Sequence, residues 1–178
     1  TIERHFETFR HMAAVLAPHV SRCIFSFVEM YKKLEVNMPE LKPLTEEQKN
    51  ELARGLGSIA AEHGIRLQTC GTDEDYSDFG IHSSGCMTLE ILGNANGLNF
   101  RELSHRGMRK GCHCIESRDI GAYDTCINGC RYCYANKDHS LALENYKRHD
   151  PDSPLLLGRT RPGDEISMGA QKTFLRKR

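Results

Sequence analysis

The stretch with the most evident chemistry is Asp124–Asn136, which reads DTCINGCRYCYAN. It holds Cys126, Cys130 and Cys133 in a Cys-x3-Cys-x2-Cys array, with Tyr132 directly before the last cysteine. Each iron of a 4Fe–4S cluster takes one external ligand, usually a thiolate, and short spacings let one loop reach three corners. Three ligands leave one iron open to a substrate or cofactor. The alternative is a zinc site that includes Cys130 and Cys133, because Cys-x2-Cys is also a zinc signature.

A second group of cysteines predicts a second metal centre. Its members are Cys70, Cys86, Cys112 and Cys114. Four thiolates can close a zinc tetrahedron or ligate a second cluster. The spacing leaves both open, although the Cys-x-Cys pair slightly favours iron–sulfur. Cys23 lies far from both groups within an apolar stretch, and we interpret it as an ordinary buried thiol.

Other polar residues near the cysteines give weaker signals. His113 stands between two cysteines, and neighbours on an extended segment point away from each other, so we expect it to face solvent. An acidic cluster is interpreted as a solvated loop rather than a cation site, and its members are Asp73, Glu74, Asp75 and Asp78. Asp119 and Asp124 flank the three-cysteine array, where they can hydrogen-bond groups around a metal.

The composition excludes some classes of function. Lys plus Arg number 24 and Asp plus Glu number 24, so the formal net charge is zero and gives no broad attraction to nucleic acid or an anionic membrane. No apolar run approaches the roughly 18 residues of a membrane span. Seven of the eight cysteines lie between positions 70 and 133, which in a reducing compartment indicates metal or redox chemistry rather than disulfides. We therefore expect a cytoplasmic protein.

Local patterns in the first part of the chain predict βα structure. Residues 2–16 place apolar side chains at helical spacing, and Cys23–Val28 and Ile65–Cys70 have the composition of buried strands. Between them, Thr45–Gln48 is a capping box that opens a second helix. We expect an α/β fold with a parallel, partly barrel-like βα sheet, and the carboxyl ends of its strands are where such folds place their sites.

The same patterns divide the chain into three segments. Residues 1–70 form the βα portion, as the C-terminal part of a longer barrel-like domain. Residues 71–136 form a cysteine-rich, irregular region held by metal, with one short helix from about Met87 to Leu92. Residues 137–178 form a helical segment and an extended tail.

The Cys-x3-Cys-x2-Cys array with its preceding aromatic resembles the motif of the radical S-adenosylmethionine enzymes. The resemblance implies that Cys126, Cys130 and Cys133 ligate a 4Fe–4S cluster and that Tyr132 belongs to the cofactor site. It also implies that the open iron binds the amino and carboxylate groups of S-adenosylmethionine, and that the reduced cluster cleaves it to a 5′-deoxyadenosyl radical. A reductant such as flavodoxin or ferredoxin would be a partner, and the substrate, a small molecule or a macromolecule, is unknown.

A more specific resemblance rests on four stretches: RCIFSFVEMYKK, GIRLQTC, GCHCIESRDIGAYDTCINGCRYCYAN and DPDSPLLLGRTRPGDEI. They resemble an uncharacterised, mostly bacterial family known as domain of unknown function eighteen-forty-eight, whose members carry a cysteine cluster near the C-terminus. No reaction comes with the family. Its members have a substantial region before the part that corresponds to Thr1, so we expect this chain to be a C-terminal piece of a longer βα protein.

The position of the array departs from that in ordinary radical S-adenosylmethionine enzymes, where it comes early and a barrel follows. Only about 45 residues follow Cys133, too few for such a barrel. Two hypotheses therefore stand. The first is a radical enzyme. The second is a non-catalytic metal-binding or electron-transfer protein with structural zinc or clusters, including an inactive truncated copy.

Overall fold

The computed structural model describes residues 1–107, 109–170 and 173–176, and these form helices joined to a small sheet. The helices are α1 (Ile2–Leu16), α2 (Leu34–Asn37), α3 (Glu46–Glu62), α4 (Leu89–Asn96) and α5 (His139–Lys147). The strands are β1 (Arg22–Phe25), β2 (Arg66–Thr69) and β3 (His82–Ser83). A single turn of 3-10 helix, Ser77–Phe79, follows β2. Residues 108, 171, 172, 177 and 178, which belong to the predicted cysteine-rich region and tail, lie outside the described residues.

The sheet is parallel, with the strand order β1, β2, β3. Arg22 pairs with Arg66 and Gln68 pairs with His82. The predicted α/β class and the parallel pairing of the first two strands are therefore confirmed. Within the described residues the sheet has three strands and is open, and its predicted barrel-like continuation stays a prediction.

Local sequence signals determine where helix α3 begins and ends. Thr45 Oγ1 accepts a hydrogen bond from the Gln48 backbone at 3.3 Å, and Gln48 Oε1 accepts one from the Thr45 backbone at 3.0 Å. This confirms the capping box, which satisfies two backbone donors that the first turn of α3 leaves free. At the other end Gly64 has a φ of 66°, and the chain turns there into β2. Thr1, in contrast, makes no side-chain cap bond to α1.

Helix α3 packs on α1 and on β2. The buried side chains of this core come from both helices, from β2 and from the loops beside β2 and the 3-10 turn: Ala13, Leu52, Ala53, Leu56, Ile59, Ala60, Ile65, Leu67, Tyr76 and Ile81. Gly57 lets α3 approach the 3-10 turn, since a Cβ there would lie 2.2 Å from the carbonyl oxygen of Phe79. The short helix predicted near Met87 is α4, which begins and ends slightly later than expected.

The described residues form two compact units. The first unit comprises the described residues of Thr1–Glu29, Pro43–Ser117 and Phe174–Arg178. The second comprises those of Met30–Lys42 and Arg118–Thr173. The units group residues differently from the three segments expected from the sequence, which stay a prediction. The four-cysteine group and Cys23 belong to the first unit, and the three-cysteine array belongs to the second.

Part of the predicted tail pairs within the first unit. Leu175 forms an antiparallel bridge with Phe100, and the Arg101 and Arg176 backbone amides donate to Phe174 and Asn99 at 3.0 and 2.9 Å. Among the described residues, no helix has both the length and the apolar character that crossing a membrane requires.

The second unit has a small core. Its buried apolar residues, within the described part of the chain, are Leu34 on α2 and Ala142 on α5. The other buried residues are polar, Asp124 and Asn136. The segment before α3 therefore contributes a wholly buried leucine to this unit, which its polar composition does not reveal.

Candidate metal centres

The three-cysteine array lies on a tight loop of the second unit. Gly129, directly before Cys130, has a φ of 63°, a left-handed conformation that suits glycine. The Cys133 amide then donates to the Cys130 carbonyl at 3.0 Å, which closes a turn between the two cysteines. Cys126 and Cys130 are exposed and Cys133 is half-buried. One short loop therefore carries all three thiols.

Asn136 ties the two ends of this loop together. Its backbone amide donates to Cys133 Sγ at 3.4 Å, and its side-chain amide donates to the carbonyl of Cys126. The residue is 8% exposed, and its Oδ1 has no hydrogen-bond partner within the described part of the chain. A single buried residue therefore connects the first and third cysteines, through its backbone and its side chain.

Asp124 anchors the loop from outside. Its carboxylate is buried and accepts hydrogen bonds from the backbone amides of Lys137 and Asp138, the latter at 3.1 Å. Its carbonyl accepts from Asn145 Nδ2 at 2.9 Å. Asp124 thus joins the start of the loop to α5. Asp119, the other flanking aspartate, is exposed and accepts a bond from its near neighbour Gly121 at 2.7 Å.

A distant segment reaches the same loop. Lys33 Nζ donates to the carbonyls of Cys133, at 3.1 Å, and of Asn136. The Tyr31 hydroxyl donates to the carbonyl of Tyr132, and the two rings meet edge to face with centroids 5.6 Å apart. Desolvation raises the pKa of Tyr31, and the neighbouring Tyr132 and Cys133 add to the rise. Tyr132, expected at the cofactor site, therefore stacks against this segment.

A cavity of about 340 Å³ adjoins two of the three cysteines. It is lined by Lys33, Asn37, Gly129, Cys130, Arg131, Cys133, Asn136, Lys137 and His139. Arg131 is paired with Glu40 at 2.8 Å and also donates to the Asn37 carbonyl. Lys33 donates to backbone carbonyls rather than to a carboxylate. These contacts do not neutralise its positive charge at the cavity wall. The wall beside the thiols is accordingly cationic.

The four-cysteine group of the first unit brings sulfur atoms into contact. Cys86 Sγ lies 3.5 Å from Cys114 Sγ. The Met87 amide donates to Cys114 Sγ at 3.4 Å. Desolvation of the sulfur raises the pKa of Cys86 to about 12, with contributions from Cys114 and Cys70, although the residue as a whole is exposed.

Strand β2 positions this group. The Cys70 amide donates to the Phe25 carbonyl at 2.9 Å, directly beyond the β1–β2 pairing. Gln68, fully buried on β2, donates to the Gly85 carbonyl at 2.8 Å and so holds the loop next to Cys86. Cys70 is thus placed at the carboxyl end of a parallel strand, as the sequence predicts.

The loop that carries Cys112 lies against the end of β2. The Cys112 amide donates to the Arg109 carbonyl at 3.2 Å, and the Arg109 guanidinium lies beside Cys70. Arg109 is also paired with Glu29 at 2.7 Å. A Cβ on Gly111 would lie 3.1 Å from the Gly71 backbone, so the turn approaches the strand end closely.

The remaining candidates have ordinary surface or core roles. His113 is exposed, as expected of a residue that faces solvent, and its Nε2 lies 3.4 Å from Asp73. In the acidic cluster, Glu74 pairs with Lys49 of α3 at 2.8 Å. Cys23 is half-buried on β1, and burial raises its pKa. Within the described residues none of the eight cysteines forms a disulfide bond.

Residues 1–135 match the family model described as Domain of unknown function (DUF1848). The chain belongs to this family. No curated protein and no solved structure matches the chain. The DUF1848 match includes both cysteine groups and ends before α5 and before the stretch at residues 150–166 that also carried the resemblance.

The side chains of the DUF1848 chain can be compared with the arrangement that a metal site requires. Within the described residues, no group of three or more His, Cys, Asp or Glu side chains is arranged to hold a metal ion. Cys130 and Cys133 share a cavity that Cys126 does not line. The seven predicted metal ligands therefore stay predictions; four of them belong to the first unit and three to the second.

Sequence reasoning missed the residues that position these groups. Lys33 and Tyr31 lie in a stretch without a motif, and Gln68 and Asn136 received no role. One signal was available for Lys33, because loops that follow parallel strands at their carboxyl ends commonly carry sites. No local pattern marks Gln68 or Asn136, since each acts through a contact distant in sequence.

Proposed function

We propose that this DUF1848 protein holds a 4Fe–4S cluster on Cys126, Cys130 and Cys133 and acts as a radical S-adenosylmethionine-like enzyme on an unknown substrate. The observation that carries the proposal is the Cys-x3-Cys-x2-Cys spacing on one tight loop beside a cationic cavity. The residues fit the cluster, because each of three thiolates would bind a different corner iron. Such sulfurs stand roughly 6 Å apart, so they need not touch one another before binding.

Hydrogen bonding at the array also suits a cluster. Donors to the ligand sulfurs are one of the means by which proteins tune cluster potentials. The Asn136 amide is already such a donor to Cys133 Sγ. The Oδ1 of the same residue is a buried acceptor without a partner among the described residues. It could accept a hydrogen bond from a group bound at the array.

The small core of the second unit supports a metal at this place. Two buried apolar side chains, Leu34 and Ala142, are few for a unit that comprises α2, α5 and long loops. Small units with weak cores commonly depend on disulfides or bound metals. Since none of the cysteines forms a disulfide within the described residues, a metal on Cys126, Cys130 and Cys133 would supply stability that the core of this unit lacks.

The charge of the cavity suits both the cluster and an anionic ligand. A cluster on three thiolates is anionic, and Lys33 and Lys137 stand at the cavity wall to balance it. The bound cluster would supply one-electron chemistry and an open iron. Lys33, held at the carbonyls of Cys133 and Asn136, would bind and orient a carboxylate at that opening.

Metal counting tests the proposal. We would purify the protein anaerobically and count iron and sulfide per chain in the wild type and in the triple variant Cys126→Ala, Cys130→Ala, Cys133→Ala. The wild type should hold about four irons and four sulfides more than the triple variant. Cys23→Ala is the matched control, because it removes a thiol outside both groups and should leave the counts unchanged. Equal iron in the wild type and the triple variant would exclude the cluster.

A second measurement separates an enzyme from an electron-transfer protein. The open, three-stranded sheet of the described residues gives the non-catalytic alternative its support. Loaded protein with dithionite and S-adenosylmethionine should yield 5′-deoxyadenosine and a shifted cluster EPR spectrum. A well-loaded protein whose spectrum stays unchanged and which gives no 5′-deoxyadenosine would favour electron transfer.

A further inference from the structure

We infer that Cys70, Cys86, Cys112 and Cys114 bind a single tetrahedral zinc ion. This site goes beyond the proposed cluster and does not depend on it, because the four cysteines belong to the first compact unit and the three-cysteine array to the second. The spacing of the cysteines in the sequence slightly favours iron–sulfur here. The distance between two of the sulfurs points the other way.

The decisive distance is the 3.5 Å between Cys86 Sγ and Cys114 Sγ. Zinc–sulfur bonds of about 2.3 Å in a tetrahedron place the sulfurs about 3.8 Å apart. Thiolates on one 4Fe–4S cluster bind different irons and stand roughly 6 Å apart. A disulfide would need about 2.05 Å. The observed separation therefore matches two ligands of one ion.

The position of a third cysteine separates one ion from a two-iron cluster. In a 2Fe–2S cluster the thiolates come in two pairs, one pair for each iron, and only the members of a pair are close. Cys86 Sγ lies 3.5 Å from Cys114 Sγ, and the hydrogen bond of 2.8 Å from Gln68 to the Gly85 carbonyl ties the loop before Cys86 to β2, close to Cys70. The backbone therefore brings Cys70 to the same place as the close pair, which favours one tetrahedral centre over two separate pairs.

The backbone brings the loop of Cys112 and Cys114 against the other two cysteines. A Cβ on Gly85, next to Cys86, would lie 2.6 Å from the His113 carbonyl oxygen, and a Cβ on Gly111, next to Cys112, would lie 3.1 Å from the backbone of Gly71, next to Cys70. Binding would then draw the four thiolates onto one ion.

The surroundings suit a four-thiolate zinc. Such a centre carries two net negative charges, and it is stabilised by amide donors to sulfur and by nearby cations. The Met87 amide donates to Cys114 Sγ at 3.4 Å. Arg109 lies beside Cys70 and is held there by Glu29. Gln68 fixes the loop before Cys86 through the Gly85 carbonyl.

Zinc, iron and sulfide counts on anaerobically purified protein test the inference. Cys86→Ala and Cys114→Ala should each lose about one zinc per chain while keeping the iron and sulfide of the wild type. Cys126→Ala should keep the zinc, and Cys23→Ala should keep all metals. These variants make failure of the zinc site and failure of the cluster separate results.

Two outcomes would overturn the zinc site. One is a loss of iron together with sulfide in Cys86→Ala, which would indicate a second cluster. The other is a wild type and a Cys86→Ala variant with the same zinc content. Zinc X-ray absorption on the wild type gives an answer even where a variant fails to fold, since four sulfurs at about 2.3 Å are expected and a shell of nitrogen or oxygen would refute the assignment.

Discussion

At the residue scale, Asn136 closes the loop that carries the three-cysteine array. The side chain of Asn136 donates to the Cys126 carbonyl, and its backbone amide donates to Cys133 Sγ. Loss of the Asn136 side chain removes this hydrogen bond together with the buried contacts of the amide group. The array is thus a folded loop with a defined closing contact.

We expect Asn136→Ala to lower the free energy of unfolding of the second unit by about 1–2 kcal/mol. Tyrosine fluorescence during urea denaturation measures this, because the protein has no tryptophan and five of its six tyrosines belong to the second unit. Asn128→Ala is the matched control, since Asn128 is exposed on the same loop. Equal denaturation midpoints for the two variants would mean that the closing contact contributes little.

At the element scale, the packing of α3 depends on a residue without a side chain. Gly57 faces the 3-10 turn, and a Cβ there would lie 2.2 Å from the Phe79 carbonyl oxygen. A backbone atom cannot rotate away, so the helix or the turn would have to shift. This contact fixes the 3-10 turn between β2 and β3.

Gly57→Ala should therefore destabilise the protein by about 2 kcal/mol, although alanine in a helix interior ordinarily gains roughly 1 kcal/mol over glycine. Thermal unfolding followed by circular dichroism measures the change. Ser58→Ala, at the exposed neighbouring position of the same helix, should unfold within a degree or two of the wild type. A more stable Gly57→Ala would show that the turn yields at little cost.

The same element shows what the sequence could predict. The capping box and the two strands on either side of α3 are local signals, and each predicted structure formed. Strand β3 has two exposed residues and exists only because Gln68 and Thr69 pair with it, so no pattern within it could be detected. Lys33 and Arg109 likewise reach the cysteines through long-range contacts that no local pattern encodes.

At the scale of the whole molecule, charge is the property that the proposed metals would change. The formal net charge of the chain is zero and its isoelectric point is near 7.1. Thiols carry no charge below their pKa, so the cysteines contribute nothing to this balance until a metal displaces their protons. Because the positive and negative side chains cancel, the few charges that bound metals add would determine the net charge of the protein. Protein without metal should accordingly associate most readily near neutral pH.

Loading both centres should shift the net charge by about three negative units. Four thiolates around a divalent ion leave two negative charges, and three thiolates on a cluster core of charge two leave one. Anaerobic native isoelectric focusing should therefore place the loaded wild type at a lower isoelectric point than chelator-treated protein. Cys126→Ala should retain the larger part of the shift and Cys86→Ala the smaller part, because each variant keeps one centre. An isoelectric point that chelation leaves unchanged would mean that neither group of thiols binds metal, since thiolates cannot ligate an ion without giving up their protons.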